Sequence, residues 1–319
     1  MSVPAAYLGV ILIWGTTPLA IKWSGEGVGY LFGVTGRMVI GVLLALTLVQ
    51  LLRLPLPWHL AARRTYLAAG LGIYVAMTSV YWASQFIPSG WIAVVFGLSP
   101  IVTGLMARLW LPEQGLTPLR LAAMLVALTG LLVIFGAGMQ GGEPMVLGVV
   151  GVLFSVVTHA ASAIWVKRLD AGLHGLAVTS GGLVVAVPLF LLSWFLQGET
   201  WPVGIEPRVV SAIVYLGVVG SVLGFALYYY VLRHVETTRV ALITLVTPVI
   251  ALLAGQWLNG ETVDARIWLG TFLIMTGLLG FELGRFKFLT EAAFPTSLWV
   301  SLRRWPQFSR SRARDRNGQ

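Results

Sequence analysis

Polar and aromatic side chains recur every three, four or seven residues inside otherwise apolar stretches of this sequence. Side chains at these spacings share one face of an α-helix. The two longest sets are Tyr74, Thr78, Tyr81 and Gln85, and Ser155, Thr158, His159 and Ser162. Shorter sets are Trp14 with Thr17, Ser99 with Thr103, and Thr244 with Thr247. Together they predict a polar-aromatic cavity that binds a small amphipathic molecule through hydrogen bonds and ring contacts.

Two ionisable groups lie deep within the same apolar stretches, Arg37 in "TGRMVIG" and His159 in "FSVVTHAAS". An arginine at the centre of a membrane helix costs about 2.5 to 3.5 kcal/mol, so Arg37 needs a partner. All twelve acidic residues fall in loops, at the ends of the stretches or in the tail. Backbone carbonyls, a substrate carboxylate, or lipid headgroups reached by snorkelling are the three alternatives for Arg37.

His159 is the one side chain deep in these stretches that could titrate near neutral pH, since the ordinary pKa of histidine is about 6.5. It is a candidate for coupling transport to protons, because proton relays in membranes use ionisable groups. The alternative is a hydrogen-bonded structural histidine. Facilitated diffusion or exchange therefore stays open beside proton coupling.

The composition places these residues in a lipid bilayer. Of 319 residues, 57% are hydrophobic and 10% are charged, against about 25% charged in soluble domains. Runs of about 20 apolar residues can cross a hydrocarbon core of about 30 Å. The first run lacks the positive region of a cleavable signal, so it counts as a span. We predict an all-α membrane protein with ten spans, at 3–22, 30–52, 65–87, 90–110, 117–136, 145–166, 175–196, 208–232, 238–258 and 265–284.

The positive charges predict the orientation. With both termini in the cytoplasm, seventeen Lys and Arg residues face inward and three, Lys22, Arg208 and Arg266, face outward. An excess of Lys and Arg marks the cytoplasmic side. The net charge of +9 owes much to the tail from Arg285 onward, and a basic segment after a span typically meets anionic lipid. We therefore expect membrane lipids, and no nucleic acid, as partners.

An internal repeat predicts how the spans are arranged. Shifting the chain by 148 residues places segment 81–113 over 229–261 and aligns three uncommon pairs: Tyr81 with Tyr229, Pro100 with Pro248, and Glu113 with Glu261. The units are 1–137 and 145–284, followed by a basic tail at 285–319. Five spans per unit invert the second copy in the membrane, an arrangement typical of secondary transporters. Pro100 and Pro248 lie near mid-span, where proline loosens a helix.

Several motifs make residues 5–284 similar to the EamA-type branch of the drug/metabolite transporter superfamily, and within it to amino acid exporters. They are "WGTTPLAIK", "TGRMVIG" and the pair "LSPIVTGLMARLWLPE" and "LVTPVIALLAGQWLNGE". The resemblance implies export of amino acids or other metabolites by alternating access, with a cavity lined by spans one to four and six to nine. One departure is His159, which stands where the second copy commonly carries a tryptophan matching Trp14.

Aromatic residues related by the repeat are candidates for the gates. Inversion carries Tyr81 and Tyr229 to opposite ends of the pathway, so we predict that Tyr81 or Trp82 closes the outer end and Tyr228 or Tyr229 the inner end. The alternative is that these tyrosines belong to the interfacial belts. Serines and threonines have a similar alternative, since their hydroxyls can bond to their own helix backbone.

The sequence thus predicts a secondary transporter of small amphipathic metabolites in the cytoplasmic membrane. Aromatic or hydrophobic amino acids fit best, with Arg37 on the carboxylate, and the alternative is an exporter of lipophilic cations. A membrane enzyme is disfavoured because the four histidines are scattered without paired carboxylates. No phosphate-binding glycine motif indicates an ATP-driven pump. We expect no cofactor, no metal and no catalytic residue, and a monomer is the simplest assembly.

Overall fold

The computed structural model describes residues 2–110, 117–140, 142–198, 201–234 and 237–293. These residues form twelve α-helices and one π-helical segment. The helices are α1 Val3–Ser24, α2 Tyr30–Leu51, α3 Leu60–Ala83, α4 Ser89–Phe96, α5 Ser99–Trp110, α6 Pro118–Gln140, α7 Glu143–Leu169, α8 Gly175–Leu196, α9 Pro207–Tyr215, α10 Gly224–His234, α11 Thr237–Asn259 and α12 Ala265–Ala293. The π-helical segment is Leu216–Leu223 and joins α9 to α10.

The all-α membrane fold is confirmed. Eight helical stretches are long and apolar enough to cross a bilayer, and two shorter apolar stretches lie at Pro207–Ser221 and Ile243–Asn259. Those two stretches belong to α9 with the π-helical segment and to α11. The chain is therefore a membrane protein of ten spans.

Two spans are interrupted, although both were predicted as continuous. The fourth consists of α4 and α5, separated at Gly97 and Leu98 just before Pro100, a residue that cannot donate a backbone hydrogen bond. The eighth consists of α9, the π-helical segment and α10. Pro248 lies inside α11 without interrupting it.

Most boundaries agree with the prediction, and two differ clearly. Helix α3 begins at Leu60, five residues before the predicted start, because the His59 imidazole accepts a bond from the amide of Ala62 and caps the helix. Helix α12 continues to Ala293, past the predicted boundary at 284. The tail from residue 294 lies outside the described residues, as does Glu113.

The packing of the spans gives the bundle its arrangement. Helix α6 packs on α12, α2 on α8 and α4 on α11; α3 packs on α7 and α8, whereas α1 packs on α9, α10 and α11. We call the end of the bundle where α1 ends and α2 begins the Lys22 end. The ends of α3, α8 and α11 and the starts of α4 and α9 also lie there.

The buried apolar residues form two clusters, which differ along the axis of the bundle. Ala20 and Ile21, near the Lys22 end of α1, belong to a large cluster that spans most of the bundle. Val10 and Ile11, nearer the opposite end of α1, pack in a separate cluster with Val231 and residues of α10 and α11. The buried apolar residues thus form one core at the Lys22 end, and a second, separate cluster involving α1, α10 and α11 lies nearer the opposite end.

Candidate functional site

The π-helical segment is the partner of Arg37. The guanidinium Nε donates to Ser221 Oγ at 3.4 Å, and Ser221 Oγ donates to the carbonyl of Leu216 at 2.9 Å. Among the described residues, no carboxylate lies within ion-pairing distance of Arg37, and Arg37 is half-buried. The Arg37 side chain thus points toward a neighbouring span. Its partner in the protein is a serine hydroxyl, which was not among the three alternatives considered from the sequence.

Close approach of α2 makes this contact possible. A β-carbon at Gly217 would lie 2.6 Å from Cγ2 of Ile40 and 3.4 Å from the carbonyl oxygen of Arg37. Only a glycine leaves room for α2 at this point, since contacts under 3 Å are sterically forbidden. The glycine in the first turn of the π-helical segment therefore brings Arg37 within reach of Ser221.

The same segment also lies against the polar face of α1. The ring of Trp14 contacts Tyr228 of α10 with 5.0 Å between centroids, and Thr16 Oγ1 and the Tyr215 hydroxyl are 2.7 Å apart. Thr17 Oγ1 donates to the carbonyl of Ile13 in its own helix at 2.7 Å. Trp14, Thr17 and Arg37 are thus gathered around one segment, and we call these residues with Ser221, Tyr215 and Tyr228 the π-segment site.

The predicted residues of α3 and α7 hold these two helices together. Ser155 Oγ donates to the carbonyl of Ala76 at 2.7 Å, and Ser162 Oγ donates to that of Ala68 at 2.9 Å. Ser155 is fully buried. Tyr74 instead faces α8, with its hydroxyl 2.5 Å from Ser193 Oγ and its ring against Phe190.

The remaining predicted residues are dispersed. Thr78 and Thr247 donate to carbonyls of their own helices, and Ser99 of α5 donates to the carbonyl of Phe96 at the end of α4. Gln85 is exposed and donates to the carbonyl of Trp82. His159 follows Ser155 by one turn and is exposed, unlike that serine. Thr244 is half-buried in α11. The hydrogen bonds of Thr78, Gln85, Ser99 and Thr247 thus go to backbone carbonyls outside the π-segment site.

A hydrogen-bonded network, which we call the Lys22 clasp, crosses the Lys22 end. It consists of Lys22, Trp23, Ile87, Ser89, Arg208, Asn259 and Glu261. Asn259 Oδ1 accepts from Trp23 Nε1 and from Arg208 Nη2, both at 2.8 Å. The Arg208 guanidinium also lies over the Trp23 ring, 4.1 Å from its centroid.

The clasp extends across the fourth span. Asn259 Nδ2 donates to Glu261 Oε1 and Ser89 Oγ donates to Glu261 Oε2, both at 3.0 Å. Lys22 Nζ donates to the carbonyl of Ile87 at 2.9 Å. The network therefore connects α1, α4, α9 and α11 at one end of the bundle.

The predicted gating residues lie at both ends of the bundle. Tyr81 is fully buried at the Lys22 end, and its hydroxyl has no hydrogen-bond partner among the described residues. Trp82 is half-buried and packs on Phe86 with 4.8 Å between centroids. Tyr228 pairs with Trp14, while the side chain of Tyr229 lies outside the described residues. The gating roles stay predictions.

Sequence reasoning missed Ser221, Tyr215 and most of the Lys22 clasp. Ser221 sits between glycines in "GVVGSVLG", and a π-helical turn has no simple sequence periodicity. The clasp had a detectable signal, because Trp23, Asn259 and Glu261 are polar or amphipathic residues at span ends predicted to meet on one side. Among the described residues, no group of three or more His, Asp or Glu side chains could hold a metal ion.

Known proteins with similar sequences are transporters. An uncharacterized transporter of Archaeoglobus fulgidus is 25% identical over 84% of this chain and 94% of its own. A probable amino-acid metabolite efflux pump of Escherichia coli K12 is 26% identical over 84% and 91%. The uncharacterized inner membrane transporter YedA of the same strain is 26% identical over 89% and 91%.

Fold and family agree with these relatives. A solved crystal structure that covers 89% of this chain and 98% of its own superposes with a TM-score of 0.60 at 20% identity, which supports the fold. The sequence model of the EamA-like transporter family matches residues 3–136 and again 146–282. Those two matches cover most of the protein, and the chain belongs to the EamA-like transporter family.

Proposed function

We propose that this transporter moves small amphipathic carboxylates, above all aromatic or hydrophobic amino acids, out of the cytoplasm. The observation that carries the proposal is the half-buried Arg37 in the π-segment site, which donates to one hydroxyl and faces no carboxylate among the described residues. A substrate carboxylate would supply the missing negative charge, and guanidinium–carboxylate pairs are strong and directional.

The aromatic pair of Trp14 and Tyr228 supports an apolar substrate side chain. Trp14 contributes to this pair from the same helix as Thr16, two residues away, and Thr16 meets the Tyr215 hydroxyl. A ring or branched side chain can stack on them while its carboxylate reaches Arg37. Two relatives, one from E. coli and one from Salmonella typhimurium, carry the name probable amino-acid metabolite efflux pump, which agrees with this substrate class.

We further propose alternating access between two inverted five-span units, with the Lys22 end outside. The packing is compatible with a two-fold axis that exchanges the two units. Such an axis would convert the contact of α3 with α7 into that of α10 with α1, and both contacts are present. It would leave three further contacts unchanged, which are also present: α4 with α11, α2 with α8, and α6 with α12. The single core and the clasp at the Lys22 end, with a separate cluster nearer the other end, correspond to a carrier closed outside and open inside. The membrane would be the inner membrane, as in the name of YedA.

Counterflow in liposomes tests the substrate class. Purified protein is reconstituted with unlabelled aromatic and branched-chain amino acids inside, and uptake of each labelled amino acid is compared with that of its carboxamide. We expect counterflow of at least one acid, a clear preference over its amide, and loss of that preference in Arg37→Gln. Amides or amines carried in preference would instead favour lipophilic cations, and no counterflow of any amino acid would overturn the proposal.

A further inference from the structure

The Arg37 side chain is held by a hydroxyl whose own proton is already used. A serine hydroxyl has one donor and two acceptor positions. Ser221 Oγ donates its proton to the carbonyl of Leu216, five residues earlier in the π-helical segment. The oxygen therefore meets Arg37 only as an acceptor, and the Nε proton must point toward it.

The π-helical turn supplies this geometry. In an α-helix the hydroxyl of serine bonds to the carbonyl three or four residues earlier, as Thr16 and Thr17 do in α1. The wider turn at 216–223 moves the accepting carbonyl to the fifth position and turns Ser221 toward α2. Single π-helical turns inside longer helices occur frequently at functional sites.

The orientation of the guanidinium determines which of its donors remain for a ligand. With Nε directed at Ser221, the two Nη groups form the remaining edge, and neither donates to another described residue. That edge matches the two oxygens of a carboxylate. A guanidinium free to rotate would present this edge for only part of the time, and its affinity for a carboxylate would be lower in proportion.

We infer that Ser221 is a positioning residue, which fixes Arg37 so that its Nη edge receives the carboxylate of the substrate and so determines the preference for acids. This inference rests on the proposed function for the identity of the ligand, whereas the contact between Ser221 and Arg37 can be tested without any substrate. Ser221 itself does not need to touch the transported molecule.

The contact is tested first, using the absence of cysteine from the chain. Ser221→Cys introduces the only thiol, and its alkylation by a small maleimide is followed in liposomes at pH 7. A neighbouring guanidinium stabilises the thiolate, so we expect alkylation several-fold faster than in the double variant Ser221→Cys, Arg37→Gln. The control variant Ser211→Cys, with and without Arg37→Gln, should show no such difference. Equal rates in the first pair would overturn the contact and with it the inference.

The positioning role is tested by the preference for acid over amide. Losing a hydrogen bond to a charged group lowers affinity roughly 10-fold or more. Ser221→Ala should therefore raise KM for the acid by about that factor, while the maximal rate for the acid and the transport of the amide stay nearly unchanged. Ser221→Thr retains the hydroxyl and should retain the preference. An equal loss for acid and amide, or failure of threonine to rescue a stable protein, would make Ser221 structural and overturn the inference. If wild type carries no amino acid but the thiol rates differ as expected, the proposed substrate class fails and the contact stands.

Discussion

Asn259 illustrates how one amide side chain can connect several spans. Its oxygen accepts from Trp23 and Arg208, and its nitrogen donates to Glu261. Removing the side chain leaves these donors and the carboxylate without their partner, at a cost of about 1 to 3 kcal/mol in the closed arrangement. If the Lys22 end opens, water can replace Asn259 as the hydrogen-bond partner, so the substitution does not destabilise the open state.

We therefore predict that Asn259→Ala shifts the carrier toward opening at the Lys22 end. A buried reporter, Ser84→Cys, is 3% exposed at this end, and its reaction with an impermeant maleimide should become about 10-fold faster, the factor for roughly 1.4 kcal/mol. Glu26→Gln is the control, because the exposed pair of Glu26 with Arg208, at 3.9 Å, contributes little. Unchanged labelling in Asn259→Ala would remove the clasp from the gating mechanism.

The pairing of helices depends on small residues at their contacts. A β-carbon at Gly72 of α3 would overlap the side chain of Ser162 of α7, whereas one at Gly136 of α6 would meet nothing within 4 Å. Overpacking a close contact costs about 1 to 3 kcal/mol or more. Small residues permit the close approach on which helix association in membranes depends.

We predict that Gly72→Val lowers the melting temperature in detergent clearly more than Gly136→Val. Both changes replace a glycine inside a helix by the same β-branched residue, so intrinsic propensity cancels in the comparison. The difference should report only the contact between α3 and α7. Equal melting temperatures would show that this interface can relax without cost.

At this scale the sequence predicted which stretches are helices better than it predicted their function. Apolar length and composition located the ten spans, because a bilayer requires every backbone group to be bonded within a helix. The stripe of Ser155 and Ser162 was correctly placed on one face, yet that face bonds to α3. A hydroxyl that faces a cavity and one that faces a neighbouring helix have the same spacing, so periodicity alone cannot separate them.

For the whole molecule, the orientation in the membrane determines what the Lys22 clasp faces. We predict that the Lys22 end is outside, so that Val203→Cys, at a position 98% exposed between α8 and α9, reacts with an impermeant maleimide in intact cells. Gly172→Cys, in the loop between α7 and α8, should react only after the membrane is permeabilised. The reverse pattern would mean that the topology is inverted. The loop near Gly141, which we also expect outside, would then face the cytoplasm; Gly141 itself lies outside the described residues.

The gates give a second prediction at this scale. Tyr81→Ala should favour opening at the Lys22 end, where Tyr81 is buried, and Tyr229→Ala should favour opening at the other end. Reporters Ser99→Cys and Thr247→Cys should then change accessibility to impermeant reagents in opposite senses. Shifts in the same direction would place the gates elsewhere, and the clasp would remain as the outer closure.

The interruptions of the spans differ between the two halves: the first half has a break before Pro100, and the second half has a π-helical turn at Leu216–Leu223. Under the proposed alternating access, halves that differ in this way give inward-open and outward-open states that are not related by symmetry, so nothing makes their free energies equal. Without a coupled ion, a carrier cannot concentrate its substrate, since the ratio of forward to reverse flux at equilibrium is fixed by thermodynamics alone. For such a carrier we therefore expect the inequality to appear in the kinetics, as unequal half-saturation concentrations on the two faces of the membrane, compensated by unequal maximal rates of influx and efflux.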